Sequence, residues 1–348
     1  MPMTNSKISA GNYFEDFRLG QILTHATPRT MTAGDGAVYM SLYGPRFAVQ
    51  SADTFAAAVG YPKAPLDDLL VFHTVFGKTV PDVSLNAVAN LGYAQGRFLA
   101  PVYAGDTLST ISEVIGLKEN SNKETGVVYV RSTGRNQAGV TVLDYVRWVM
   151  VRKRDKAAIN PDAAVPPLAD RVAPETLGAA VPPLKPTAWD NALAGSRFRF
   201  ADYAKGERID HIDGMTVEEA EHQIATRLYQ NTAKVHFNQH TEGQGRFGRR
   251  LVYGGVVISL VRALSFNGLG NAFHIAAING GRHVAPVFAG DTIYAWSEVL
   301  ETAEIPGRQD IGLLRLRHTG LKNRSADGYP ATGDGVVLDL DVWLAIPK

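Results

Sequence analysis

The chain of 348 residues carries one sequence pattern twice, at an offset of about 186 residues. The segments GRFLAPVYAGDT at 96–107 and GRHVAPVFAGDT at 281–292 agree at nine of twelve positions. Earlier in each half, FEDFRLGQILTH at 14–25 is matched by FADYAKGERIDH at 200–211. A repeat that runs through both halves predicts two tandem domains of one fold. Because one copy is free to lose its chemistry, positions that differ between the copies point to function.

The repeat sets the domain boundaries. We assign residues 1–153 to a first domain, 154–186 to a linker and 187–348 to a second domain. The linker contains seven prolines between positions 155 and 186, which exclude helix and strand ladders. Since it also carries valines and leucines, we expect an extended strap that lies against the domains.

Each half is predicted to place one central helix before a run of strands. Apolar residues at helical spacing predict a helix at 255–264, and the apolar stretch 69–76 occupies the matching place. Strands are predicted at 108–115, 127–133, 140–151, 293–300, 313–318 and 336–346. One helix followed by consecutive strands indicates the α+β class, with an antiparallel sheet wrapped around a central helix in the hotdog arrangement. Two such units are expected to pair their sheets edge to edge, which hides strand edges.

Composition excludes several classes of function. The net charge is +1, so we expect no nucleic-acid partner and no anionic membrane surface. There are no cysteines, which excludes disulfides, thiolate nucleophiles and zinc–sulfur sites. The first residues show no signal-peptide pattern, and no apolar run is long enough to span a membrane. The chain is therefore predicted to be a soluble, cytoplasmic protein.

The repeated strand segments resemble those of the MaoC-like, or hydratase 2, branch of the hotdog superfamily. In that family a segment of the form G-D-x-N-P-[LIV]-H precedes the central helix, and its Asp and His act on an acyl-CoA thioester. This chain has QNTAKVH at 230–236 and GPRFAVQ at 44–50. The resemblance covers nearly the whole chain and implies a double hotdog fold.

The histidine of the family motif is matched in one half only. His236 occupies that position in the second half, and Gln50 lies there in the first. The family's aspartate is replaced in both halves, by Asn231 and by Pro45. The resemblance therefore implies an active site in the second half, where His236 moves the proton and Asn231 orients water or His236.

Two questions about this motif stay open. Asn231 has an alternative role as a loop residue bonded to the backbone. Either His236 alone shuttles the proton, or another carboxylate replaces the missing aspartate. The candidates for that carboxylate are Glu221, Asp53 and Glu242.

The two motif regions, LYGPRFAVQ and LYQNTAKVHFNQH, are similar to those of the tandem subgroup that acts on mesaconyl-CoA. That resemblance implies a lyase that reversibly adds water to mesaconyl-CoA and yields β-methylmalyl-CoA, with no cofactor beyond the CoA of the substrate. An acyl-CoA thioesterase on the same fold and a non-catalytic acyl-CoA-binding protein are the alternatives. Hotdog proteins commonly assemble further, so a homo-oligomer is expected.

The second helix is predicted to open at Tyr253-Gly254-Gly255, which resembles the family's His-Gly-Met stretch. The first N–H groups of a helix have no internal partner and favour developing negative charge. These residues are therefore expected to bind the thioester oxygen, although the glycines have an alternative role in packing against the sheet. In the first half we take His73-Thr74 as the counterpart and expect His73 to be structural.

Four arginines are candidates for the substrate carboxylate or the CoA phosphates, because guanidinium binds both in a bidentate manner. They are Arg246, Arg249, Arg250 and, with less support, Arg46. A solvated basic loop is the alternative for the first three. His236 and His240 lack a partner carboxylate or cysteine at useful spacing, so no metal site is expected. The Gly-Asp-Thr segments at Asp106 and Asp291 occur in both halves and are interpreted as turns.

Overall fold

A computed structural model describes residues 7–160 and 162–348 of the chain. The strands are β1 (Ile22–Thr30), β2 (Ala87–Phe98), β3 (Thr107–Glu119), β4 (Thr125–Arg135), β5 (Thr141–Arg152), β6 (Arg208–Thr216), β7 (His274–His283), β8 (Thr292–Glu304), β9 (Ile311–Lys322) and β10 (Val336–Pro347). They form one ten-stranded antiparallel sheet in the order β1-β3-β4-β5-β2-β7-β10-β9-β8-β6. Each half therefore contributes five strands in the same internal order, which is the α+β double arrangement predicted from the repeat.

Helices of both halves pack against this sheet. They are α1 (Ala33–Tyr43), α2 (Ala48–Ser51), α3 (Asp53–Val59), α4 (Asp68–Thr79), α5 (Glu219–Leu228), α6 (Gln239–Glu242), α7 (Gly254–Leu264) and α8 (Phe266–Leu269). The predicted helices at 69–76 and 255–264 are confirmed as α4 and α7, whose first residues are 186 positions apart. None of the helices in the described residues is long and apolar enough to cross a membrane.

The two halves join where β2 pairs with β7, which confirms the predicted edge-to-edge pairing. Tyr93 pairs with Gly281 and Gly96 with Ile278. Sequence periodicity does not reveal either strand, because their glycines interrupt the apolar pattern. Gly92 is required by packing, since a Cβ there would lie 2.4 Å from the Trp148 ring.

A pseudo-twofold axis relates the halves and passes between the central helices. The Tyr43 hydroxyl lies 2.9 Å from the Tyr229 hydroxyl, and these residues are equivalent in the repeat. His73 Nε2 on α4 lies 3.1 Å from Ser259 Oγ on α7, again at an offset of 186 residues. Contacts between equivalent residues are what a two-fold relation produces. The repeat thus behaves as an internal dimer.

The proline-rich segment packs against both halves, as expected of a strap. The Val172 amide donates to Asn279 Oδ1 at 2.8 Å, and the Leu184 amide donates to Asp310 Oδ2 at 2.7 Å. Both residues are buried, in a hydrophobic cluster that also includes Trp343. The strap therefore covers an apolar cluster to which α2, α3 and the sheet all contribute.

Candidate active site

His236 lies in a single 3-10 turn (Lys234–His236) just before α6, and its ring is half-buried. Its Nδ1 lies 2.9 Å from the Leu251 carbonyl oxygen. Because a carbonyl only accepts, Nδ1 carries the ring proton and Nε2 keeps its lone pair. Burial lowers the pKa of His236 to about 4, the Leu251 carbonyl opposes this shift, and nearby His222 adds to it. The imidazole is therefore neutral at pH 7, as a general base requires.

The N-terminus of α7 lies beside a second histidine. Gly254 is the first residue of the helix, and its N-cap side chain makes no hydrogen bond to the free N–H groups. A Cβ at Gly254 would lie 2.4 Å from Cε1 and Nε2 of His283, the last residue of β7. The glycine thus lets an imidazole and an open helix N-terminus approach each other closely.

The first half contributes a tyrosine to this histidine. Tyr93 on β2 places its hydroxyl 3.3 Å from His283 Nε2. Burial and, to a smaller extent, the nearby His236 together lower the pKa of His283 to about 4. Two neutral imidazoles therefore share one electrostatic environment at the junction of the halves.

His283 is absent from the residues predicted on sequence, although the repeat contains its signal. In the aligned segments the first half has Phe98 where the second has His283. His222 likewise has Gly36 as its counterpart at the 186-residue offset. His222, His236 and His283 are thus all confined to one half, which a position-by-position comparison of the copies reveals.

Gly255 and the Tyr253 hydroxyl face the core. A Cβ at Gly255 would lie 2.6 Å from the His73 ring, and the Tyr253 hydroxyl lies 3.4 Å from His73 Nδ1. The Tyr253 ring packs against both His73 and His236, with centroids 5.6 and 5.4 Å away. Packing therefore accounts for Gly255, and Tyr253 lies against His236 through its ring.

Asn231 is buried in the loop that follows α5. Its side-chain Oδ1 accepts a hydrogen bond from the Ala233 backbone amide at 2.9 Å. The backbone amide of Asn231 donates to the Thr226 carbonyl at 3.1 Å. Oδ1 therefore has the alternative role considered for Asn231, that of a loop side chain bonded to the backbone. Among the described residues Nδ2 has no hydrogen-bond partner, so it is the only part of the side chain left to orient water.

Comparison with known proteins gives this arrangement a family. Residues 4–337 match the family model described as mesaconyl-CoA hydratase. The chain belongs to this family. It is 58% identical to the β-methylmalyl-CoA dehydratase of Chloroflexus aurantiacus, with 99% of each chain covered. A solved MaoC domain protein dehydratase from Chloroflexus aurantiacus superposes with a TM-score of 0.96 at 58% identity, covering 99% of both chains.

A more distant structure confirms the fold of this mesaconyl-CoA hydratase family member. A Mycobacterium tuberculosis protein described as a double hotdog has a TM-score of 0.73 and 29% identity, and the match covers 97% of this chain and 99% of that one. The MaoC-like resemblance and the double hotdog fold, both inferred from the repeated strand segments, are thereby confirmed.

The predicted arginines do not gather at one point. Arg246 and Arg249 are exposed on the loop before α7, stacked on Phe247 and Phe288 with guanidinium carbons 5.0 and 4.0 Å from the ring centroids. Arg250 forms an ion pair with Glu219. Arg46 stacks on Phe266 at 4.4 Å, and it lies just before the first-half helix α2, which carries Gln50. The structure thus places Arg46 apart from the second-half loop and leaves Arg246 and Arg249 free to meet an anion from solvent.

The carboxylates left open by the sequence do not pair with His236. Asp53 Oδ1 accepts the Ala64 amide, Glu221 lines a small cavity with His222, and Glu242 ends α6. No ion pair between His236 and a carboxylate occurs in residues 7–160 and 162–348. The same residues contain no cluster of three or more metal-ligating side chains.

The first-half counterpart of the α7 N-terminus is Asp67-Asp68, and the prediction of His73-Thr74 is wrong. Because α4 and α7 begin 186 residues apart, Asp68 matches Gly254 and His73 matches Ser259. The apolar stretch marks the helix interior, so its first histidine is one and a half turns from the start. His73 is fully buried with partners, which confirms the structural role expected of it.

The Gly-Asp-Thr segments are turns, as predicted. Asp106 Oδ2 accepts the Tyr103 amide at 2.8 Å, and Asp291 Oδ2 accepts the Phe288 amide at 2.9 Å. The same bond in both halves identifies a scaffold element.

Proposed function

We propose that this protein reversibly adds water to mesaconyl-CoA to form β-methylmalyl-CoA, as a hydro-lyase. The family match and the Chloroflexus aurantiacus relative support the substrate. The observation that carries the chemistry is the neutral His236, held by the Leu251 carbonyl with Nε2 unprotonated, in the half whose central helix opens at Gly254.

The reaction needs a base for water and donors for the thioester oxygen. His236 Nε2 takes a proton from water as the water oxygen attacks the β-carbon. Negative charge then develops on the thioester oxygen, which the N–H groups at Gly254 stabilise together with the positive end of the α7 dipole. One proton leaves water and one is delivered to the α-carbon, so the addition consumes no net proton.

His283 takes the place of the family's missing aspartate as the second polar group. Its ring lies against Gly254, and its pKa is sensitive to His236. The contact with the Tyr93 hydroxyl fixes the ring orientation. His283 therefore positions the water, while protonated His236 returns the proton that it took from water to the α-carbon. The Asn231 amide Nδ2 is left to hold the water from the other loop.

Binding of the CoA portion falls to the exposed loop before α7. Arg246 and Arg249 are stacked on aromatic rings and make no ion pair with a carboxylate within the described residues. Such pre-positioned guanidinium groups suit phosphate. A homo-oligomer and a cytoplasmic location stay predictions.

Incubation with mesaconyl-CoA tests the proposal. We expect loss of the enoyl-thioester absorbance and a product heavier by one water, with no free thiol. Release of free CoA thiol identifies a thioesterase instead. Tight binding without any change of the thioester indicates the non-catalytic alternative. Crotonyl-CoA serves as a second substrate. If the protein hydrates crotonyl-CoA but not mesaconyl-CoA, the proposed reaction type stands and the proposed substrate is wrong.

A further inference from the structure

A buried arginine without a carboxylate partner lies behind the site. Arg147 on β5 is fully buried, and its Nη2 donates to Thr79 Oγ1 at 2.6 Å and to Ser84 Oγ at 3.3 Å. Its Nε and Nη1 are also buried but have no hydrogen-bond partner. No described carboxylate forms an ion pair with it. A buried cation of this kind is costly unless an anion meets it.

The fold satisfies another buried arginine in the ordinary way. Arg262 on α7 donates to Ser265 Oγ at 3.1 Å and to the Ala272 carbonyl. Burial lowers the pKa of Arg262 to about 10, and the carboxylates of Asp67 and Asp68 oppose that shift. The lack of an acceptor for Nε and Nη1 of Arg147 is therefore not a general property of buried arginines in this core.

Arg147 lies next to residues that contact the proposed catalytic groups. It pairs with Tyr93 across β2 and β5, and Tyr93 contacts His283. Its guanidinium carbon lies 4.3 Å from the centroid of the Phe76 ring, which is 5.7 Å from the Tyr253 ring. One side chain thus separates the guanidinium from each wall of the site.

A second buried polar group near Arg147 also lacks a hydrogen-bond partner. It is the hydroxyl of Tyr145. Burial lowers the pKa of Arg147, while the hydroxyls of Tyr145, Tyr93 and Tyr253 are near enough to oppose that shift. Two guanidinium nitrogens and a phenol hydroxyl with no acceptor match the needs of a carboxylate.

We propose that Arg147 binds the free carboxylate of the acyl group and so selects a dicarboxylic acyl-CoA. This rests on the proposed function, because a mesaconyl group carries such a carboxylate a few bonds from its thioester carbonyl. A neutral acyl group of the same shape leaves the buried guanidinium without an anion, so the affinity for such an acyl-CoA is expected to be much lower. The equivalent residue of the second half is Val342, so only one copy has this device.

Binding of two saturated thioesters tests this selection without any turnover. Methylsuccinyl-CoA and 2-methylbutyryl-CoA differ only by a carboxylate in place of a methyl group. By calorimetry we expect the wild-type protein to bind methylsuccinyl-CoA at least about 100-fold more tightly. Arg147→Met should abolish this preference and leave the affinity for 2-methylbutyryl-CoA unchanged or raised. Equal affinities in the wild type, or a preference that survives Arg147→Met, overturn the proposal.

Two further variants separate recognition from folding. Arg147→Lys keeps the charge but loses the bidentate geometry, so the preference should fall by about tenfold. If Arg147→Met does not fold, Arg147→Lys provides the test. An unchanged preference for methylsuccinyl-CoA in Arg147→Lys contradicts the role proposed for Arg147. Arg262→Met is the matched control, which should lower thermal stability while the preference persists. If mesaconyl-CoA is not hydrated but the carboxylate preference depends on Arg147, only the proposed reaction fails.

Discussion

The N-termini of the two central helices are equivalent in the repeat and opposite in chemistry. At α7, Gly254 leaves the first N–H groups open beside the neutral His283. At α4, Asp67 Oδ1 accepts the Leu69 amide at 2.9 Å, and the Asp68 carboxylate accepts the Ile275 amide at 2.8 Å. The N-terminus of the first helix is thus capped by the Asp67 carboxylate, whereas that of the second helix is open to a substrate oxygen.

The difference shows how a duplicated fold separates scaffold from chemistry. The Asp68 carboxylate also pairs with His274 at the start of β7, so it ties the first half to the second. A helix N-terminus stabilises negative charge whatever its source. The two N-termini therefore differ in whether a protein carboxylate already occupies the first N–H groups.

The largest effect is expected when His236 of the second half is replaced by the residue found at the equivalent position of the first half. His236→Gln introduces the residue found at Gln50, which cannot take a proton from water. We expect kcat to fall by about 1,000-fold, measured as hydration of mesaconyl-CoA. The exposed His240, four residues further on, provides the matched control His240→Gln, which should keep the wild-type rate. Wild-type turnover in His236→Gln contradicts the assignment.

Adjacent glycines give a paired test of the helix opening. Gly254→Ala places a methyl group against the His283 ring, so we expect kcat to fall by about 100-fold with little change in stability. Gly255→Ala meets the Tyr253 and His73 rings instead and should cost about 1–3 kcal/mol of unfolding free energy. Urea titration and initial rates distinguish the two. Equal effects on both quantities in both variants refute the separation of site and core.

The role of His283 is tested by the residue that the first half already uses. His283→Phe copies Phe98 and should lower kcat by about 100-fold because the second polar group is lost. Tyr93→Phe removes only the hydroxyl that contacts His283 and should cost no more than about tenfold. Full activity in His283→Phe would show that His236 works alone.

The sequence predicts most of this fold and only part of the site. The repeat and the 3.6-residue periodicity locate α4, α7 and six strands, because those elements bury continuous apolar faces. The joining strands β2 and β7 are not predicted, because glycines interrupt their apolar pattern. His236 is found by its motif position. Arg147 is not, since nothing local in VLDYVRW indicates that its partners are missing.

The lowered histidine pKa values predict the pH dependence. His236 and His283 each have a pKa of about 4, below the ordinary 6.5, so both stay neutral until the pH approaches that value. We expect kcat/KM to hold from pH 8 to about 5.5 and then fall. Between about pH 6.5 and 4 the unfolded chain binds more protons than the native one, so the stability of the fold also decreases as the pH is lowered. Rates must therefore be corrected for the folded fraction, and a midpoint near 6.5 argues against a buried base.

The smallest effect is expected at the closed N-terminus of α4. Burial raises the pKa of Asp67 to about 6, and the adjacent Asp68 carboxylate adds to the shift. A raised native pKa means that stability is lost as the pH rises through 6, because the charged form is disfavoured in the fold. Asp67→Asn keeps a capping oxygen without the charge. It should therefore raise the unfolding free energy by the order of 1 kcal/mol at pH 8, less at pH 4.5, with unchanged turnover. A loss of activity in this variant, measured beside wild type at pH 8, would mean that the first helix N-terminus takes part in the chemistry after all.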